Sequence, residues 1–220
     1  MTAILPVPQS LVSRPEAVFS PVAGQSPLMR IVTALASVAD VVVAAAAPLA
    51  DEVRKTLSPL HLSGAQVCIA DDPGSWAECV ATALRVLGGS GPVLLHDIAW
   101  PLVSPTTLER VMVALNDGAT AVLPVCPVTD SIKAVDAKGA VTATVERSPL
   151  RTVQYPRGFA ADALSGLVAR AGSAELDTVL RSEIPVTSIE GDTDTVSVQL
   201  PRDASYLAAV IESRSDGPGR

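Results

Sequence analysis

Pro92-Val93-Leu94-Leu95-His96-Asp97-Ile98-Ala99-Trp100-Pro101 is a short apolar run that ends abruptly in a His-Asp pair and is then broken by proline. A new helical pattern opens at Ser104-Pro105. A strand of this kind is buried on both faces, as in a parallel sheet covered by helices. In an open α/β sheet, ligands gather outside the carboxyl ends of the strands. Asp97 therefore stands where a carboxylate can meet a ligand or a metal ion. On this segment alone, a turn cap is the better reading of Asp97.

The pattern repeats on both sides of this stretch. Ala3-Ile4-Leu5, Asp40 to Ala45, Ala65 to Ala70 and Thr120 to Pro124 read as further strands, all near-continuous in apolar residues. Helical periodicity runs over Leu28 to Ser37, Pro48 to Leu57, Ser75 to Leu87 and Ser104 to Asn116. Ser75 with Glu78 has the spacing of a capping box. The alternation predicts a doubly wound α/β domain with right-handed crossovers. Residues 6–27 read as irregular, with five prolines at 6, 8, 15, 21 and 27. After Val125 the rhythm changes. Ser131 to Val135 and Ala140 to Val145, joined at Lys138-Gly139, predict a hairpin within an arm over 130–157. Helices are expected at 160–171, 173–182 and from Pro201 to Ile211, and strands at 186–190 and 196–199. One domain over 1–212 and a disordered tail at 213–220 complete the expected organisation.

Composition removes several function classes. The chain has 220 residues, is 48% hydrophobic and 3% aromatic, and carries a formal charge of −7. The low aromatic content and the lack of a basic stripe argue against nucleic acid as a partner. The N-terminus lacks the basic and apolar regions of a signal peptide. The apolar run from Val41 to Ala50 is too short to span a bilayer. A soluble, cytoplasmic protein with no membrane partner is expected. Cys68, Cys79 and Cys126 show no metal-ligand spacing. Cys68 and Cys126 read as core residues and Cys79 as partly exposed, all reduced.

Further landmarks follow in order. Thr129-Asp130-Ser131-Ile132-Lys133 precedes Thr144-Val145-Glu146-Arg147-Ser148-Pro149-Leu150 and then Tyr155-Pro156-Arg157-Gly158-Phe159. Ile189-Glu190-Gly191-Asp192 and Leu200-Pro201-Arg202-Asp203 close the series. With the His96-Asp97 segment, this order resembles the 2-C-methyl-D-erythritol 4-phosphate cytidylyltransferases of isoprenoid precursor synthesis. Their pattern has a His-Asp-Ala-Ala-Arg-Pro segment, an Asp-Thr-hydrophobic-Lys segment, an Asp-Arg-x-x-Leu segment and a Thr-Pro-Gln-x-Phe segment. The resemblance spans about residues 3–212.

It implies a Rossmann-like nucleotidyltransferase fold, a mostly parallel sheet flanked by helices, with a β-arm used in homodimerisation. It also implies CTP and a sugar-alcohol phosphate as substrates, a divalent metal such as Mg²⁺, and release of pyrophosphate. Carried over by position, Asp97 matches the metal-binding carboxylate, and Asp130 and Ser131 match the Asp-Thr pair at the sugar-phosphate site. Arg147 matches the arginine that contacts the methylerythritol phosphate, and Arg14 the basic residue after the nucleotide loop. An arginine fork suits bidentate recognition of a phosphate.

The departures cluster on the nucleotide side. The family's first loop is Ala-Ala-Gly-x-Gly-x-Arg followed by Pro-Lys. Here Pro6-Val7-Pro8-Gln9-Ser10-Leu11-Val12-Ser13-Arg14 holds no glycine, and Glu16 follows Pro15 where the lysine belongs. Pro8 brings no N–H. Ala70-Asp71-Asp72-Pro73-Gly74-Ser75 replaces a Gly-Gly-x-x-Arg segment, Trp100 replaces an arginine and Tyr155 a threonine. Trp100 and Tyr155 either plug the site or pack as ordinary core aromatics. The only lysines are Lys55, Lys133 and Lys138, and Ser197 stands near the position of a second expected lysine. Losing one preorganised charge-stabilising donor costs about 3–4 kcal/mol of transition-state stabilisation. Two functions remain open: a cytidylyltransferase with a remodelled nucleotide loop, or a non-catalytic paralogue acting as a binding or partner subunit. An unrelated α/β ligand-binding domain is the remaining alternative.

Overall fold

A computed structural model describes residues 1–60, 64–89, 91–170, 181 and 184–215. In chain order the strands and helices are β1 (Thr2–Val7), α1 (Glu16–Phe19), α2 (Pro27–Ala36), β2 (Asp40–Ala45), α3 (Ala47–Leu57), β3 (Ala65–Ile69) and α4 (Trp76–Val86). They continue with β4 (Pro92–Leu95), α5 (Pro105–Asn116), β5 (Ala121–Pro127), β6 (Ile132–Val135), β7 (Val141–Val145), β8 (Arg151–Val153) and β9 (Arg157–Ala160). The last three are α6 (Ala161–Arg170), β10 (Val186–Glu190) and α7 (Ala204–Ser215).

The main sheet runs β10-β5-β9-β4-β1-β2-β3, with β8 paired to β5. The pairs β1·β2, β1·β4, β2·β3 and β5·β10 are parallel, as the valine-rich runs predict. β9 is antiparallel to both β4 and β5. Alternate residues of each strand face opposite layers. Leu5, Val41, Val43, Leu94 and Val122 pack under Leu28, Ile31, Leu35, Val53, Leu108 and Val111 of α2, α3 and α5. Ile4, Val42, Val93, Leu95, Leu123 and Phe159 pack against Val80, Ala83, Leu164 and Leu167 of α4 and α6. Each fully buried aliphatic or aromatic side chain of this kind contributes roughly 1.5–3 kcal/mol. A third cluster joins Val22, Leu102, Val198, Leu200 and Leu207, which ties α7 to the segment after β4.

Helix starts follow local chemistry. Ser26, Ser75 and Ser104 cap α2, α4 and α5 through their side chains, and Ser75 and Glu78 form the full capping box. Pro27 and Pro105 occupy first-turn positions, where a missing N–H costs nothing.

Several expectations are corrected. The stretch 130–157 divides: β6 and β7 form a separate two-stranded hairpin, whereas β8 and β9 belong to the main sheet. The arm proper therefore closes before Arg151. Residues 6–27 hold a 3₁₀ turn at Gln9–Leu11 and the short α1. Val196 to Gln199 forms no strand, although the Val198 N–H donates to the Ala99 carbonyl. α7 carries on to Ser215, so 213–215 are helical and not a disordered tail; 216–220 lie outside the described residues. So does the helix expected over 173–182, Arg181 apart. Cys79 is fully buried because it shares the inner face of α4 with Val80 and Ala83, and Cys68 is only half-buried because β3 is a sheet edge.

Candidate active site at the end of β4

β1 and β4 run parallel and finish at the same edge of the sheet. The His96 N–H donates to the Ile4 carbonyl at 2.9 Å, which extends the β1·β4 ladder one residue past the strand. This fixes the point at which Asp97 leaves the sheet. The Asp97 carboxylate then accepts the Ala99 N–H at 2.8 Å and shapes the turn. Burial pushes the Asp97 carboxyl above its ordinary range, while the Ala99 N–H and the positive charge of Arg157 pull it back.

His96 is fully buried, and its Nε2–H donates to the Trp100 carbonyl at 2.9 Å. Its Nδ1 finds no hydrogen-bond partner among the described residues. Burial drives its pKa down to about 4, against the opposing pull of that hydrogen bond, so the ring is neutral at pH 7. Tyr155 meets the His96 ring edge-on at 5.9 Å and lies 6.2 Å from Trp100. The guanidinium of Arg157, itself buried, lies over the Tyr155 ring at 4.1 Å. Trp100 and Tyr155 thus pack with the core layer under α4 and α6.

The first loop closes on itself. The N–H groups of Leu11, Val12 and Arg14 donate to the carbonyls of Pro8, Gln9 and Leu11, and the Gln9 N–H reaches the Gly74 carbonyl at 2.7 Å. Gly74 has φ +74°, and a Cβ there would lie 2.8 Å from that of Ala46, so the turn is open to glycine alone. The loop is thereby strapped to the turn after β3. Of the two acids in that turn, Asp71 pairs with Arg85 of α4 at 2.5 Å. Between the loop and the end of β4 lies a hollow of about 290 Å³, lined by Leu11, Arg14, Ile98, Ala99, Ser197 and Gln199 among others. Arg14 and the turn after Asp97 therefore share one cavity. Glu16 is exposed in the first turn of α1.

The remaining sequence-derived residues gather at the base of the hairpin. Asp130, Ser131 and Arg147 are exposed, and the Arg147 guanidinium donates to the Thr129 carbonyl beside Asp130. Sequence reasoning assigned no role to Gln154. Its Nε2 donates to the Asp192 and Thr195 carbonyls at 2.8 and 2.9 Å, and its Oε1 accepts the Asp192 N–H. This clamps the turn after β10 to the sheet. The signal was only its place before Tyr155-Pro156.

A model of the 2-C-methyl-D-erythritol 4-phosphate cytidylyltransferase family matches residues 11–213. The chain belongs to this family. A member of the cytidylyltransferase family from Saccharopolyspora erythraea is 38% identical over 199 residues, covering 87% of this chain and 88% of that one. The crystal structure of the cytidylyltransferase of Thermus thermophilus matches with a TM-score of 0.72 at 26% identity, covering 96% of this chain and 98% of that chain. A 4-diphosphocytidyl-2C-methyl-D-erythritol synthase from Anaerococcus prevotii shares the fold with a TM-score of 0.79 at 16% identity, over 96% of this chain and 95% of that one. The expected Rossmann-like nucleotidyltransferase fold of the cytidylyltransferase family is thus the fold observed.

Asp97 brings one carboxylate to this strand end, and Mg²⁺ is commonly held by one or two carboxylates together with substrate phosphate oxygens. The Asp97 carboxylate also takes a backbone N–H and lies in the field of a buried guanidinium. Among the described residues no group of three or more His, Cys, Asp or Glu side chains is placed to hold a metal. No helix among them is long and apolar enough to cross a membrane.

Proposed function

We propose that the chain works in the chemistry of its family: transfer of the cytidylyl group of CTP to the phosphate of 2-C-methyl-D-erythritol 4-phosphate, with release of pyrophosphate. A phosphate oxygen of the sugar alcohol attacks the α-phosphorus, and the bond to the β-phosphate oxygen breaks. In such transfers the protein contributes positioning and charge rather than covalent chemistry. The observation that carries the reading is the shared hollow, where Arg14, Ala99 and Ser197 converge at the carboxyl edge of the sheet. In this reading Arg14 meets the triphosphate, and Arg147 with Asp130 and Ser131 meets the sugar phosphate. The hairpin, with Val135, Val141 and Val145 exposed, is read as the homodimer contact.

A second reading, a non-catalytic paralogue that binds the sugar phosphate or serves as a partner subunit, is favoured by one feature. The first loop spends four N–H groups on backbone carbonyls and brings Pro8, so few donors remain for phosphates. Calorimetric titration with CTP, with and without Mg²⁺, separates the two when combined with a pyrophosphate-release assay on the methylerythritol phosphate. Saturable CTP binding with slow release, weakened about tenfold or more by Arg14→Ala, supports transfer. Binding of the sugar phosphate without binding of CTP supports the partner role.

A further inference from the structure

Two arginines from distant parts of the chain meet in one hollow outside the proposed nucleotide cavity. Its volume is about 240 Å³, and its lining includes Arg30 and Ala34 of α2, Leu102 and Val103 of the segment after β4, and Ile211 and Arg214 of α7. It shares no lining residue with the hollow of Arg14 and Ala99. The cluster of Val22, Leu102, Val198, Leu200 and Leu207 borders both, since Leu102 lines one and Val198 and Leu200 line the other. Each guanidinium is aimed by a backbone carbonyl. Arg30 Nη2 donates to the Val22 carbonyl at 3.1 Å, and Arg214 Nη2 to the Asp194 carbonyl at 2.6 Å. A guanidinium carries five N–H donors in a rigid fork, so both keep donors to spare.

Neither arginine forms an ion pair with a carboxylate among the described residues, and no acidic side chain among them lines the hollow. The Asp192 carboxylate lies in the field of Arg214 and of Arg110 but is paired with neither. Arg30 is half-buried, and burial pulls its guanidinium below its ordinary pKa. A cation drawn out of water calls for an opposite charge, and a second cation in the same hollow strengthens that demand. The whole chain carries a formal charge of −7, so a general surplus of positive charge does not account for the pair.

We propose that this hollow is a second anion site, in which the forks of Arg30 and Arg214 together hold the phosphate group of a small ligand. Arginine forks match phosphate oxygens two at a time. The walls of Leu102, Val103 and Ile211 are apolar and strengthen such contacts by keeping water back. A phosphate held there bridges α2 to the last turn of α7 and fastens the C-terminal helix to the segment that follows Asp97. The site goes beyond the proposed cytidylyl transfer and is independent of turnover.

The full-length protein is titrated with inorganic phosphate by calorimetry, in buffer free of nucleotide and of divalent metal. Wild type is expected to bind phosphate saturably, and Arg30→Gln and Arg214→Gln each to weaken that binding about tenfold or more. Ala34→Glu places a carboxylate in the hollow and is expected to abolish the site. Arg14→Ala, in the other hollow, is expected to leave it within about twofold. Parallel titrations with pyrophosphate and glycerol phosphate identify the source: the tighter binder that also depends on Arg30 marks a free diphosphate or a phosphate ester. A wild-type protein without saturable phosphate binding overturns the inference. Binding that Arg14→Ala weakens and that Arg30→Gln and Arg214→Gln leave unchanged overturns it too, because the anion then sits in the nucleotide hollow. Arg214 is exposed on the last turn of α7, so Arg214→Gln decides should Arg30→Gln fail to fold.

Discussion

His96 shows how one buried polar residue ties the site to stability. Its backbone N–H is held by the Ile4 carbonyl of β1, and its neutral ring by the Trp100 carbonyl. The folded-state pKa of about 4 lies below the ordinary value of 6.5. Above pH 6.5 the imidazole is neutral in both states and adds no pH dependence. As pH falls from 6.5 towards 4, the unfolded chain takes up a proton that the folded chain refuses, and stability is lost. Between pH 7 and pH 5 this amounts to about 2 kcal/mol. Urea unfolding at the two pH values is expected to show that loss in wild type, with a correspondingly smaller loss in His96→Asn. Equal losses in both proteins would place the acid sensitivity elsewhere. The position of His96 and Asp97 was legible in the sequence, because an apolar run that stops at two polar residues before proline marks a strand end. The burial of Arg157 was not. An arginine after Tyr-Pro reads as surface, and only the folded arrangement sets Tyr155 beneath it.

At the scale of elements, the parallel strands and their helices were readable because local signals and hydrophobic runs agreed. β9 escaped because Arg157-Gly158-Phe159-Ala160 offers one large apolar residue and a glycine. Its strand character comes from pairing on both sides, with β4 and β5. The glycine has a packing reason: a Cβ at Gly158 would lie 2.6 Å from Val111 Cγ1 and 2.8 Å from Leu115 Cδ1, both on α5. Gly158→Ala is therefore expected to cost about 1–3 kcal/mol by overpacking, read as a lower urea midpoint at unchanged slope. The capping box of α4 gives a complementary test. Ser75 accepts the Glu78 N–H, and Glu78 accepts the Ser75 N–H at 2.8 Å. Ser75→Ala should lower stability by about 1 kcal/mol. Because α4 adjoins the Gly74 turn that receives the Gln9 N–H, amide exchange in the first loop should quicken in the same variant. An unchanged loop would mean that the strap holds without the cap.

Across the whole molecule, the two faces of the sheet are closed by helices, whereas the β6–β7 hairpin forms its own sheet. Every residue of β7 is exposed, and Val135 and Val141 are 59% and 65% exposed. Apolar side chains on a two-stranded ribbon gain little from the ribbon itself, since an isolated hairpin is marginal in water. The proposed covering for them is a second copy of the chain. The changes in rhythm after Val125 made the hairpin legible in sequence, but its end was misplaced, because β8 continues the β-type pattern while pairing with β5. Sedimentation of the wild-type protein at micromolar concentration is expected to give a homodimer. Val135→Glu/Val141→Glu should shift it towards monomer by at least tenfold in dissociation constant, since a charge buried against a partner lacks compensation. The far-ultraviolet spectrum should stay unchanged, because neither residue packs in the main core. A wild-type protein that is monomeric, or a double variant that dimerises as well as wild type, would remove the hairpin from the interface and leave its valines without a partner.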